Sequence, residues 1–272
     1  MKHILAMVAT LALLAPGLPP QAPAEGPPKI QTLIITGQNG HDWKGTTPLL
    51  RKLLEDTGRF EVRITEEFRG AGPETLAPYD LVVLNYYERR QPALWWGERA
   101  QEALVNFVRG GKGLVVYHFS IAAFDGWTEF EQLSGGNWRP GNGHHSPPHD
   151  FTVVIRDRNH PITRGMKASF PVANDELYAN LKWQPGESYH VLATAWDDHF
   201  LYKNPKQPTP GKGLDQPILW TLEPGKGRVF VTVLGHVPAN LGNIGFQATY
   251  TRGAEWAATG AVTIPAPASL AE

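Results

Sequence analysis

From Lys29 to Gly37 the chain reads KIQTLIITG, an apolar, β-rich run that predicts the first strand of the folded region. The loop QNGHDWKG follows. Leu49, Leu50, Leu53 and Leu54 then mark one apolar helical face, with Thr47 as expected N-cap, Pro48 in the first turn and Gly58 as the stop. FEVRITEE (Phe60 to Glu67) predicts a second strand. YDLVVLNYY (Tyr79 to Tyr87) predicts a third, apolar on both faces and therefore expected at the centre of a covered sheet. Between Gly97 and Val108, Ala100, Leu104, Phe107 and Val108 recur at helical spacing, and after Gly110 and Gly111 the run KGLVVYHF predicts a fourth strand. Strands alternating with helices predict an α/β fold built on a parallel sheet with helices on both faces.

The second half is patterned less regularly. WTEFEQLSG predicts a short helix; FTVVIRD, YHVLATAWD, PILWTLE and GRVFVTVLG predict strands; Gly245 to Thr259 predicts a terminal helix. NPKQPTPGKG (Asn204 to Gly213) has the composition of a turn-rich surface loop.

Before this pattern begins, Lys2 and His3 precede the apolar run ILAMVATLALLA, and the chain then turns to GLPPQAPAEGPP. That arrangement is the signature of a secretory leader, with cleavage expected at Ala22-Pro23-Ala24. At about 12 residues the run is short of the roughly 20 needed to span a bilayer, so no stable membrane insertion is expected once the leader is removed. The expected organisation is a leader over 1–24 and one domain over 25–272, with its core at about 29–260, exported to the periplasm or medium. Its 272 residues, 42% hydrophobic and 19% charged, suit a single large α/β domain. Without Lys2 the formal charge is −2, from 24 basic and 26 acidic residues, and this near balance gives no electrostatic reason to expect nucleic acid as a partner. The chain has no cysteine, which excludes disulfides, thiolate metal sites and a cysteine nucleophile together.

In an open parallel sheet, ligands bind beyond the carboxyl ends of the strands. His41, Asp42 and Trp43 follow the first predicted strand; Asn85, Tyr86 and Tyr87 end the third; His118 ends the fourth; His236 ends the strand GRVFVTVLG. NGHHSPPHD adds His144, His145 and His149, and Pro147-Pro148 rules against a helical zinc pair there. In an extended loop, His144 and His145 should point opposite ways. Asp175-Glu176 reads either as the acidic start of a helix or as one pocket carboxylate acting in proton transfer. No GxGxxG follows the first strand and no GxSxG occurs, so neither a dinucleotide loop nor a serine-hydrolase elbow is expected.

Taken together, IITGQNGHDW, YDLVVLNYY, FVRGGKGLVVYHFSIAAFDGWTEF, HDFTV, HPIT, DELY, VLATA and PILWTLEPGKGRVFVTVLGH resemble the ThuA-like (trehalose-utilisation) family over roughly residues 29 to 260. The resemblance implies the class I glutamine amidotransferase-like fold, a flavodoxin-like parallel sheet with helices on both sides. It also places His118 where amidotransferase relatives carry their nucleophilic cysteine, so no glutaminase thioester is available to this chain. What the family implies is saccharide metabolism, in particular the processing of sugars oxidised to 3-keto derivatives. On that basis His118 and His236 are each expected as base or acid, with Asp175 or Glu176 as the partner that orients or protonates. His41, Trp43, Asn85, Tyr86, His145 and His149 are expected to line the sugar site, Trp43 by stacking. A small saccharide is the expected partner. No cofactor is required by this scheme, although the same histidines and carboxylates could serve a divalent metal. The competing expectations are a non-catalytic carbohydrate-binding domain and a histidine–carboxylate metalloenzyme.

Overall fold

Strand β1 (Ile30–Ile35) and strand β2 (Phe60–Thr65) run parallel with Ile30 opposite Phe60, joined through helix α1 (Trp43–Glu55). A computed structural model describes residues 28–88, 95–186, 188–198 and 213–272. The leader and all but the last residue of the Asn204 to Gly213 loop lie outside the described residues.

Helix α1 begins earlier than the Thr47-Pro48 signal predicts. Asp42 is its cap, its carboxylate accepting a 2.9 Å hydrogen bond from the Gly45 amide, and Pro48 lies inside the helix. Thr47 is instead a buried packing residue whose hydroxyl meets that of Thr36 at 2.9 Å. A short helix α2 (Pro73–Leu76) leads to strand β3 (Leu81–Leu84), and helix α3 (Glu98–Arg109) leads to strand β4 (Gly113–Tyr117). Every residue of β3 and β4 is buried, as strands covered on both faces must be.

After β4 come helix α4 (Thr128–Ser134), the two-residue strands β5 (Gly136–Asn137) and β6 (His144–His145), and the longer strands β7 (His149–Ile155) and β8 (Ser169–Asp175). Strands β9 (Tyr178–Ala179) and β10 (Lys182–Trp183) pair with β6 and β5 respectively, outside the main sheet. Strands β11 (Tyr189–Asp197), β12 (Leu214–Leu222) and β13 (Arg228–Thr232) complete the sheet, and helix α5 (Ile244–Thr259) closes the core.

Among the described residues the main sheet has nine strands in the order β2-β1-β3-β4-β13-β12-β11-β7-β8. The segment from β2 to β13 is parallel, as expected. Beyond it β12, β11, β7 and β8 are antiparallel, which the α/β alternation of the first half does not announce. Helix α5 packs on β4 and β13 beside α1, whereas α3 contacts β4, α2 and α4, so two helical groups cover the central strands. No described helix is long and apolar enough to cross a membrane.

Candidate functional site

The carboxyl ends of β1, β4 and β13 deliver three histidines to one point. His41 leaves β1 in a loop fixed by Asn39, whose side chain accepts from the His41 amide at 2.9 Å and donates to Asn85 at 3.2 Å. His118 is the first residue after β4 and takes the left-handed backbone (φ 44°), a strained conformation for a non-glycine residue, at the head of a 3-10 turn that continues to Ala122. Its Nδ1 lies 2.7 Å from the Val233 carbonyl, and because a carbonyl can only accept, Nδ1 carries the hydrogen and Nε2 the lone pair. Gly235, which precedes His236, has φ 98°, and a Cβ there would lie 2.9 Å from the Tyr117 hydroxyl that donates to its own carbonyl. The turn thus requires glycine.

The antiparallel half supplies the carboxylate. Asp175 ends β8 and Glu176 follows it; in extended backbone adjacent side chains point to opposite sides, and here the two acids separate accordingly. Asp175 Oδ2 accepts from the Gly235 amide at 2.8 Å, and its Oδ1 accepts from His236 and Glu176 amides at 3.0 and 2.9 Å. Asp175 therefore fixes the His236 turn. Glu176 faces the histidines: its Oε2 is 2.9 Å from His236 Nδ1, 3.8 Å from His41 Nε2 and 4.0 Å from His118 Nε2, while Oε1 is 3.2 Å from His145 Nδ1.

The same alternation sorts the neighbouring pair on β6. His144 is buried with Nε2 3.4 Å from Asp197, whereas His145, opposite Tyr178 in the β6–β9 pair, reaches Glu176. Gly40, His41, Asp42, Phe119, His145, Glu176, Tyr178, His236 and Val237 line a cleft of about 420 Å³ over this cluster.

Electrostatics follow from burial and these contacts. Burial alone would raise the Glu176 pKa, but the contacts from His145, His236 and His41 outweigh it and hold the carboxyl far below its ordinary range. Contact with Glu176 raises the His145 pKa against the effect of burial. Burial, reinforced by the neighbouring His41, pushes His118 well below the ordinary histidine value and favours its neutral form. Burial raises Asp175, partly opposed by the backbone amides it accepts from.

Of the residues the sequence singles out, His41, His118, His145, Glu176 and His236 are brought together. His118, expected as a base or acid, lies behind the cleft at 2% exposure. Asp175 has both carboxylate oxygens taken by backbone amides. Asn85 is buried, with its amide donating to Thr46 and Thr47 and its oxygen accepting from Asn39, so it ties β3 to α1. Tyr86 packs against Phe124 and Trp96. Trp43 opens α1 with the Lys44 ammonium 5.4 Å from its ring, and His149 begins β7 with Nδ1 3.0 Å from both Ser146 Oγ and the Pro147 carbonyl. None of these four lines the cleft.

Two aromatic residues of the cleft escape the sequence reading. The Phe119 ring lies 4.1 Å from that of His41, tilted by 52°, and Tyr178 packs 5.0 Å from His118 with its buried hydroxyl making no hydrogen bond among the described residues. The spacing of Glu176 and Tyr178 contained the signal for the latter, because i and i+2 share a face in extended chain.

Residues 31–257 match the family model ThuA, described as trehalose utilisation. A ThuA-like protein from Parabacteroides merdae ATCC 43184, known from a crystal structure, is 30% identical; the alignment covers 90% of this chain and 95% of that one, with a TM-score of 0.77. One from Bacteroides uniformis ATCC 8492 is 19% identical over 89% of this chain and 96% of that one, TM-score 0.64. A cold-adapted β-galactosidase from Rahnella sp. R3 shares the fold over 32% of its own length, at 14% identity, 88% coverage of this chain and a TM-score of 0.53. No curated protein matches the chain.

Proposed function

This chain belongs to the ThuA family, and on that premise we propose that it is an enzyme of saccharide metabolism acting on oxidised (3-keto) glycosides by proton transfer in the Glu176 cleft. Its fold is the glutamine amidotransferase-like one, but with no cysteine in the chain and His118 at the elbow after β4, the thioester chemistry of that fold has no nucleophile. The single observation that carries the reading is one buried carboxylate held by three imidazoles, with a fourth behind it, at the floor of a cleft large enough for a sugar ring.

A ketone at C3 acidifies the proton on C2. Removing that proton while the C1 oxygen leaves forms a C1–C2 double bond, and the departing oxygen takes a proton; the net change is an elimination, epimerisation at C2 shares its first step, and hydration adds water across the double bond it forms. His145 is the member best disposed to exchange protons with a substrate. It is 46% exposed at the cleft, and Glu176 occupies its Nδ1 side, leaving Nε2 for the ligand. His236, also on the cleft wall, is the second proton carrier. His118 acts from behind, and Asp175 is a positioning residue through its hold on the His236 and Glu176 amides. Export of the mature chain is part of the proposal and rests on the leader composition.

The test is incubation of the purified chain with 3-keto-trehalose and related 3-keto glucosides, with products read by mass spectrometry. The wild type is expected to convert at least one of them, His145→Ala and Glu176→Gln to lose at least about 100-fold of that rate, and Asp175→Asn to lower kcat more than it changes KM. Sugar affinity without product would mark a binding domain instead, and undiminished turnover in Glu176→Gln would remove the cleft from the chemistry.

A further inference from the structure

Four atoms at the floor of the cleft have an arrangement that proton transfer alone does not account for. One ring nitrogen from each of His41, His118 and His236 and one Glu176 oxygen all lie within 4.8 Å of one another. Three imidazoles crowded around a single carboxylate oxygen is more nitrogen than that oxygen can accept hydrogen bonds from in good geometry. His118 makes the point sharply, since its hydrogen is committed to the Val233 carbonyl and its lone pair therefore faces a carboxylate oxygen 4.0 Å away, acceptor towards acceptor. That Nε2 is buried and makes no hydrogen bond among the described residues. An inward lone pair on a buried imidazole is a liability unless something positive lies between the two acceptors.

We infer that His41, His118, His236 and Glu176 form a binding site for one first-row divalent transition-metal ion. Three observations support this beyond the donor count. The separations of 2.9, 3.8 and 4.0 Å from Glu176 Oε2 bracket the roughly 3.4 Å expected between ligands placed about 2.1 Å from a tetrahedral ion, so shifts of about half an ångström would bring that oxygen to ligand spacing from each of the three imidazoles. The outer contacts are of the kind that orient metal ligands: the Val233 carbonyl holds the ring of His118, and His145 holds the second Glu176 oxygen, leaving Oε2 inward. The site also has an open side, since His41, Glu176 and His236 face the cleft while His118 closes the back. Three nitrogens and one oxygen suit zinc, manganese, iron or cobalt; magnesium and calcium prefer an all-oxygen shell. Bound there, such an ion would serve as a Lewis acid towards a carbonyl or hydroxyl oxygen entering from the cleft. As a cofactor the ion rests on the reading above, whereas as a bound ion it rests on the geometry alone.

The experiment is titration of the chelator-treated full chain with Co²⁺ and Zn²⁺, following the visible bands of cobalt and the stoichiometry by elemental analysis. One ion per chain is expected, with Zn²⁺ displacing Co²⁺. His236→Ala and the near-isosteric Glu176→Gln are each expected to weaken uptake by about 100-fold or more, since even outer-contact changes cost 10- to 100-fold, and His190→Ala, a surface histidine, is expected to leave it unchanged. Circular dichroism identifies any variant that has failed to fold, and Glu176→Gln, which preserves volume, then decides. No stoichiometric uptake, uptake undiminished in both cluster variants, or tight binding of Mg²⁺ or Ca²⁺ in place of Co²⁺ and Zn²⁺ would each overturn the site. Turnover of a 3-keto glycoside that persists in excess chelator overturns the ion as cofactor and leaves the proposed activity standing. Stoichiometric ion with no turnover of any 3-keto glycoside does the reverse.

Discussion

Adjacent residues of like chemistry do different work in this protein because the backbone that carries them is extended. Asp175 meets backbone amides and Glu176 meets imidazoles; His144 meets Asp197 and His145 meets Glu176. The sequence makes the candidates visible, including the opposite orientation expected of His144 and His145. It does not decide between Asp175 and Glu176, since a helix start and a strand end both accommodate paired acids, and only the pairing of β7 with β8 makes this a strand end. Histidines outside the cleft follow the same residue-level physics with a different result. His160 is half-buried, its Nδ1 accepts from the Ile162 amide at 3.2 Å, and its ring lies 5.0 Å from Trp256 and 5.8 Å from His190. Burial, with the neighbouring His190, lowers its pKa to about 4 from an ordinary 6.5, although Asp157 opposes this. Between those values the unfolded chain binds a proton that the folded chain refuses, so stability contributed by neutral His160 is complete above pH 6.5 and is lost as pH falls through that window towards 4. After discounting for solvent screening, the loss is on the order of 1–2 kcal/mol. Urea denaturation of wild type and His160→Gln at pH 7 and pH 4.5 checks it: the wild type should lose more stability on acidification than the variant, and parallel losses would refute the assignment.

At the scale of elements, what was legible depended on how much of an element's pattern is local. Strands β1, β3 and β4 and helices α3 and α5 carry their own periodicity, and each lies within a few residues of its expected position. Helix α1 does not, because Thr47-Pro48 imitates a start signal while the cap that operates, Asp42, sits five residues earlier in a stretch that reads as loop. Strand β8 was not legible at all: only Phe170 and Val172 alternate inward, and Pro171 lies between them, a pattern tolerated at a sheet edge, where β8 is found. Packing between elements is equally nonlocal, and α5 illustrates it. Gly253 sits mid-helix, where glycine costs about 1 kcal/mol relative to alanine on propensity alone. A Cβ at that position would lie 2.2 Å from the Phe230 ring of β13, so the glycine is what lets the helix approach the sheet. The steric term outweighs the propensity term, since overpacking a rigid aromatic contact costs about 1–3 kcal/mol and Phe230 is fully buried with no room to retreat. Gly253→Ala is therefore expected to lower the denaturation midpoint, opposite in sign to the usual glycine-to-alanine change in a helix. A midpoint that rises would mean that the contact with Phe230 relaxes freely.

Over the whole molecule, the candidate site is a junction between the two halves of the sheet. The parallel half contributes His41, His118 and His236 from the ends of β1, β4 and β13; the antiparallel half contributes Glu176 after β8, and the separate β6–β9 pair contributes His145. Strand β8 stands four places from β13 in the sheet, yet Asp175 at its end bonds the amides of Gly235 and His236 just after β13, so the antiparallel strands must curl back across the molecule to bring their far edge home. Phe170 of β8 against Gly245 of α5 is a second contact of that closure. This is the feature least accessible to a linear reading, because it depends on the accumulated twist of a sheet and not on any one segment. It also has a thermodynamic consequence. An ion ligated by residues of both halves stabilises only the closed arrangement, and at 100 times its dissociation constant it adds about 2.7 kcal/mol to the folded state. For a domain of this size each kcal/mol moves the midpoint by about 2–4 °C, so saturating Zn²⁺ should raise Tm by roughly 5–10 °C. Because Glu176 is the one proposed ligand supplied by the antiparallel half, Glu176→Gln should abolish that rise even though all three histidines of the parallel half remain. Differential scanning calorimetry of the two proteins with and without Zn²⁺ measures it, and an equal rise in both would place the stabilising ion on the parallel half alone, contrary to a site that bridges the halves.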